Sequence, residues 1–317
     1  MSFCSCGDGQ QTLGVLGCFD AFESVKKHIR VNTFDSQGNR NGILLTDLVE
    51  GKLTDAYILG KLTEDDASKR WYITPNTYEN VEPSRTDSTK ETMSSGIDYL
   101  IDTGVKVFQG IIPKTSGVIA QRMNAGSCTS FGNYEVDTAG SLKGEMSADG
   151  SVLYPITVSQ GSFEAVEIEP VEGSSVQRIQ VMFQYAKTVK EGQLRIINAE
   201  NIDVNLLDVN GSLFGTLEET GTATTTTFSV LFDIDSYGQF GVVIPLEGQE
   251  DPTNWEVIDS GLNVLVPSGI VGFETGQYDF TMPSMATGTA TVEFKGVPTS
   301  ALDQSYDSNV LSFDVPV

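Results

Sequence analysis

The C-terminal part of the chain is written in period two. Ile202, Val204 and Leu206 share one face, as do Phe228, Val230, Phe232 and Ile234; Tyr278, Phe280 and Met282; Ala290, Val292 and Phe294; and Leu311, Phe313 and Val315, with polar residues between them except at Leu231. Successive side chains of a strand point to opposite faces, so each run reads as a strand with one buried face. At least five such runs without a helical pattern imply a β-sandwich over residues 193–317. Upstream, Ile179, Val181, Phe183 and Tyr185 alternate with Arg178, Gln180, Met182 and Gln184 and predict another half-buried strand.

The N-terminal part carries turn formers between apolar runs. Thr33 to Leu45, Tyr134 to Gly144, and the series Tyr99, Ile101, Asp102-Thr103-Gly104, Val105, Val107, Ile111 each read as strand, turn, strand. Residues 113–126 read as one amphipathic helix, with Pro113, Thr115 and Ser116 as candidate caps, Val118, Ile119 and Met123 on one face, and Gly126 as the stop. The polar stretch 74–96 is too long for an ordinary connection and is expected to be a functional loop. Residues 1–20 are small and Gly-rich, which suggests an arm that orders against a neighbour.

A length of 317 residues favours two domains, each able to bury its own core. The polar stretch Lys187–Gly192 is the expected boundary, between a β domain over 21–192 with one flanking helix and the sandwich over 193–317. The pattern Asp-x-x-Gly-Ser-Leu-x-Gly occurs at Asp137–Gly144 and Asp208–Gly215, with a looser echo at Asp35–Gly42, and is read as shared turn chemistry.

A formal charge of −24 repels duplex DNA and anionic lipid. After Lys190 there are two basic residues, Arg195 and Lys295, against 19 acidic ones, so the second domain holds most of the excess. No signal-peptide pattern opens the sequence and no apolar stretch approaches a bilayer span, which predicts a soluble cytoplasmic product with no membrane partner. Cys4, Cys6, Cys18 and Cys128 then read as free thiols: the Cys-x-x-Cys knuckles of zinc sites are missing.

Motifs for chemistry are sparse. The single histidine, His28, sits in Lys26-Lys27-His28-Ile29-Arg30 with no nucleophile motif to serve and is expected at the surface. Phosphate-binding loops and the Gly-x-Ser-x-Gly elbow are absent. Asp233-Ile234-Asp235-Ser236-Tyr237-Gly238 begins like a calcium loop, but its twelfth position is Ile244. Asn210-Gly211-Ser212 reads as a turn, and Trp71 and Trp255 fall in different domains, against a clustered sugar platform. No catalytic, cofactor-binding or metal residue is assigned, and no cofactor is expected.

One set of residues carries a resemblance. Trp71-Tyr72, Glu79-Asn80-Val81, Arg85, Glu91-Thr92, Gly104-Val105-Lys106-Val107-Phe108-Gln109-Gly110, the helix, Val136-Asp137 through Leu142-x-Gly144, and Tyr154-Pro155-Ile156 follow one another in an order that resembles structural proteins of Bacteroidetes-type bacteriophages, within them the major tail tube proteins. The resemblance covers roughly residues 45–200 and rests on element order. It implies a sandwich or barrel-like tube domain with a flanking helix, a loop or hairpin that reaches the next subunit, and stacked rings around a DNA-conducting channel. Residues 193–317 would be an immunoglobulin-like outer domain. Partners would be further copies of the chain and other tail proteins such as tape measure or sheath, with DNA only in transit, and the location the virion tail after assembly in the bacterial cytoplasm. Lumen carboxylates would let DNA slide, although only the −7 of residues 1–190 is available for that. The other readings are a capsid decoration, connector or baseplate protein, and a carbohydrate- or surface-binding module using Trp255, Tyr278 or Tyr306.

Overall fold

A computed structural model describes residues 22–94, 97–102, 104–115, 117–168, 177–211, 213–235, 243–296, 300–304 and 306–316. The protein is mainly β, with several antiparallel sheets and, among the described residues, two α-helices. The expected arm over 1–20 lies outside the described residues. Two compact units divide between Val209 and Asn210, not at 187–192. The expected boundary falls inside the first unit because Leu194–Ile197 pairs antiparallel with Leu142–Met146. Ile202, Val204 and Leu206 are not a strand either: a 3-10 turn at Ala199–Asn201 precedes them, and Ile202 makes an isolated bridge to Leu53.

The large sheet of the first unit runs in the order Ile43–Leu44, Val152–Tyr154, Leu142–Met146, Phe131–Asp137, Val25–Asn32, Tyr72–Ile73. All seven residues of Phe131–Asp137 are buried, so this strand is covered on both faces. On one face Tyr134 meets Trp71, and Trp71 meets Tyr57 of the helix Asp55–Leu62. That helix was not anticipated. Thr54 caps it by accepting the Tyr57 N–H at 3.2 Å, and Ile58 and Leu62, four apart, are buried.

On the other face Phe131 and Glu135, with His28 opposite Glu135 and Arg30 opposite Asn133, look toward the small sheet Glu164–Ile168, Arg178–Gln184, Lys106–Pro113, Ser84–Arg85. Ile179, Val181 and Phe183 are buried, as their alternation predicts, together with Phe108 and Ile112. The second helix spans Gly117–Ala125, shorter than 113–126. Pro113 completes a strand and the Thr115 hydroxyl turns back to donate to the Ile112 carbonyl, so neither caps the helix; Ser116 lies outside the described residues. Ala120 is buried and Val118 exposed, which places Val118 off the core face. Arg30 closes the C-terminal end by donating to the carbonyls of Met123, at 2.8 Å, and Gly126.

The hairpin at Tyr134–Gly144 forms, with Glu135 opposite Lys143 and Val136 opposite Leu142. The one at Thr33–Leu45 closes only next to its turn, where the Asp35 N–H donates to the Asn39 carbonyl and the Asn41 N–H to that of Thr33. Its flanks pair elsewhere, Val25–Asn32 with Phe131–Asp137 and Ile43–Leu44 with Val152–Tyr154, and Phe34–Arg40 is a lone bridge. What the two segments share is a turn. Asp35 Oδ1 accepts the N–H of Gln37 and Asn39, and Asp137 Oδ1 accepts those of Ala139 and Ser141, with Gly38 and Gly140 in the left-handed region. Asp259 repeats it with Gly261 and Asn263. The third copy, Asp208–Gly215, crosses the division between the units, and its Ser212 lies outside the described residues.

The second unit packs two sheets on one aromatic core. One runs Gly269–Gly272, Gln277–Thr281, Thr227–Asp235, Leu213–Glu219, Tyr306–Ser308, and the other Val264–Leu265, Trp255–Ile258, Gly288–Phe294, Leu311–Val315. Phe228, Phe232, Trp255, Phe280, Phe294 and Phe313 fill the space between, with Phe228 stacked on Phe280 at 4.5 Å. The four alternating runs that begin at Phe228, Tyr278, Ala290 and Leu311 all lie in this unit.

Candidate functional site

The basic run Lys26–Arg30 is a buried strand and not a surface patch. His28 is 2% exposed, packed edge-on against Tyr78, Phe108 and Phe183 at 4.4–5.3 Å, and among the described residues neither ring nitrogen has a hydrogen-bond partner. Burial pushes its pKa down to about 4, an effect that Glu135 opposes and Lys106 reinforces. An imidazole without a partner, walled in by three rings, has no nucleophile to activate. The expectation of a surface histidine is therefore corrected: alternation puts His28 on a covered face of a sheet covered on both sides.

Beside it lies the strongest charge cluster of the first unit. Glu135 is fully buried and accepts from Lys106 Nζ at 2.8 Å, Lys143 Nζ at 2.9 Å and the Tyr185 hydroxyl at 2.5 Å. Burial raises the carboxyl pKa, but the two ammonium groups outweigh it and hold the group down at about 2. A carboxylate engaged by three donors, two of them charged, is held in a fixed place. Its role is positional: Glu135 belongs to the central strand of the large sheet, while Lys106 pairs with Arg85 at the root of the segment described next.

That segment is the reverse of a loop. Ser84 pairs with Val107, Arg85 with Lys106, Thr89 with Asp102, and Lys90, Glu91 and Thr92 with Leu100, Tyr99 and Asp98. The pairing makes one two-stranded arm, outward over 84–92 and back over 98–107, with its tip between Met93 and Ile97. The stretch 74–96 thus supplies the outward strand; Asp102 pairs with Thr89 and Val105 bonds Thr86, so the chain keeps its direction on either side of the expected turn, whose Thr103 lies outside the described residues. The reason is local. Thr86 exchanges bonds with Val105, its N–H donating to the Val105 carbonyl at 2.9 Å and its hydroxyl accepting the Val105 N–H at 2.7 Å. Gly104 packs so closely that a Cβ would strike the Thr86 carbonyl.

From Thr86 to Met93 the arm reaches about 23 Å beyond the small sheet at 3.3 Å per residue. Every described side chain from Glu82 to Ser94 is exposed, and Met93, Ile97 and Tyr99 near the tip are 53%, 55% and 52% exposed. At its root Arg85 pairs with Glu191 over a pocket of about 280 Å³, which Lys106 and Tyr185 also line. The outer face of the small sheet is open as well. Val107, Gln109, Ile111, Gln180, Met182, Gln184 and Val166 point outward there, with Glu79, the cross-strand partner of Ile111, Glu164 and Arg178 among its charges.

The remaining candidates are not brought together. Asp233 and Asp235 lie on the strand Thr227–Asp235, and residues 236–242 of the calcium-like stretch lie outside the described residues. Cys128 is exposed; Cys4, Cys6 and Cys18, and Ser212 of the Asn-Gly-Ser sequence, lie outside the described residues. Among the described residues no group of three or more His, Cys, Asp or Glu side chains could hold a metal, and no helix is long and apolar enough to cross a membrane. Trp71 and Trp255 are both buried. No family model, curated protein or solved structure matches this chain.

Proposed function

We propose that this protein is a self-assembling structural subunit of a bacteriophage tail tube, which stacks as rings around a channel that conducts DNA. The observation that carries the reading is the arm. A lone two-stranded hairpin is marginal in water, and this one ends in Met93, Ile97 and Tyr99, each more than half exposed among the described residues. An element of this kind is completed by a neighbour. The resemblance in residue order assigns that role to the same stretch.

In this reading the first unit is the tube domain, the Glu135 cluster fixes the angle at which the arm leaves it, and the second unit is an immunoglobulin-like outer domain. The open face of the small sheet, rich in amides with Glu79 and Glu164 as scattered carboxylates, is the face offered to the channel, where it presents few bases to hold phosphate. This departs from a carboxylate-lined lumen.

The test is the double variant Met93→Ser, Tyr99→Ser of the full chain. We expect it to keep the circular dichroism and unfolding midpoint of the parent while light scattering shows the loss of high-mass assemblies. Unchanged assembly in the variant would remove the arm from the joint and with it the support for this function.

A further inference from the structure

Residues 261–273, Gly-Leu-Asn-Val-Leu-Val-Pro-Ser-Gly-Ile-Val-Gly-Phe, form a thirteen-residue stretch without a charged side chain, in a unit where fifteen carboxylates face a single base, Lys295. The stretch is not core. Leu262 is 84% exposed, Val264 63%, Val266 61%, Val271 59% and Phe273 45%, while Leu265 and Ile270 take the inward positions.

Its two strands are sheet edges. Among the described residues Val264–Leu265 pairs only with Trp255–Ile258, and Gly269–Gly272 only with Gln277–Thr281. The three residues between them can span about 10 Å, the spacing of two packed sheets, so both edges lie on one flank of the unit. Edge strands are ordinarily blunted by a charge, a bulge or a proline within the ladder. Here Pro267 sits in the connection, buried, and neither strand carries a charge.

The rim around this flank is acidic. The Glu250 carboxylate lies against Gly272, where a Cβ would collide with it, Asp279 is the cross-strand partner of Val271, and Glu274 follows Phe273 directly. A second copy of this unit would bring carboxylates against carboxylates. A partner with bases around an apolar strand is complementary to both the ridge and its rim.

We propose that this flank is a docking edge for an extended, Lys- or Arg-bearing segment of another protein. The segment adds a strand beside Gly269–Gly272, lays apolar side chains on Val271 and Phe273, and sets its bases against Glu250, Glu274 and Asp279. The proposal stands apart from tube assembly, since it concerns the second unit alone.

The probe is a fluorescent eight-residue peptide of alternating Val and Lys, titrated into the full chain and followed by anisotropy, with a Val and Glu alternation as control. The informative variant is Val271→Asp with Phe273→Asp, at exposed positions, with its fold checked by circular dichroism. The variant is more acidic than the parent, so attachment by charge alone tightens, whereas docking on the edge weakens at least tenfold. We expect saturable binding of the Val and Lys peptide, none of the Val and Glu peptide, and the tenfold loss in the variant. Absence of binding, equal or tighter binding by the variant, or a salt-strengthened dimer of the parent that the same variant abolishes would each overturn the proposal, the last by assigning the edge to a second copy.

Discussion

Leu262 holds a left-handed backbone, φ 62°, at the turn position that Gly38 and Gly140 occupy in the equivalent Asp-led turns. A side chain there costs about 1 kcal/mol in backbone strain, and this one is almost wholly in solvent and gains little back. Leu262→Gly is expected to raise the unfolding free energy by about 1 kcal/mol in urea denaturation. His28 makes a second statement at this scale. Its folded pKa of about 4 lies below the ordinary 6.5, so the unfolded chain binds the extra proton between the two values. Its contribution is fully present above pH 6.5 and is lost as the pH falls toward 4, by about 3 kcal/mol at 1.36 kcal/mol per unit. Glu135, depressed to about 2 from 4.5, loses its contribution only in the lower window, below pH 4.5. His28→Leu should therefore flatten stability between pH 6.5 and 4.5 while leaving the acid limb in place; a slope that survives the substitution would refute this assignment. The sequence showed the Asp-led turn chemistry because it lies in adjacent residues. It hid the burial of His28, because alternation tells which residues share a face but not whether that face is covered.

Among the elements, long alternating runs were legible and short ones were not. The strands around Ile179, Phe228, Tyr278, Ala290 and Phe313 formed as their period demands. The helix Asp55–Leu62 escaped notice because it has eight residues with Gly60 among them, although the Thr54 cap and the spacing of Ile58 and Leu62 were in view. The outward half of the arm was misread as a loop because its side chains before Met93 are polar on both faces, so no face pattern marks the strand. At Thr33–Leu45 a true turn was paired with the wrong strands, since turn chemistry fixes a reversal and not the partners of its flanks. The ion cluster at the arm's root makes the element-scale prediction. Glu135→Gln leaves Lys106 and Lys143 without their buried counter-charge and should cost about 3–5 kcal/mol in urea unfolding. A loss below 1 kcal/mol would mean that the cluster does not fix the root of the arm.

At the scale of the molecule, fold class and charge asymmetry could be read from the sequence, and the site could not. The division at Val209 falls later than expected because Leu194–Ile197 completes the first unit's sheet, which is a long-range pairing with no local signature. The residues proposed to join copies, Met93, Ile97 and Tyr99, lie within the stretch that the resemblance covers, but their exposure became visible only with the arm. Copies that each carry −24 repel, so association through an apolar tip should strengthen with salt as that repulsion is screened. The most direct test is electron microscopy of the untagged full chain across a concentration series, at low salt and at about 0.5 M, where the Debye length is well under 10 Å. The account predicts stacked rings or hollow tubes with a central channel, more abundant at high salt and missing from the Met93→Ser, Tyr99→Ser variant. Closed oligomers that never stack, or a parent that stays monomeric at every concentration and salt, would contradict it.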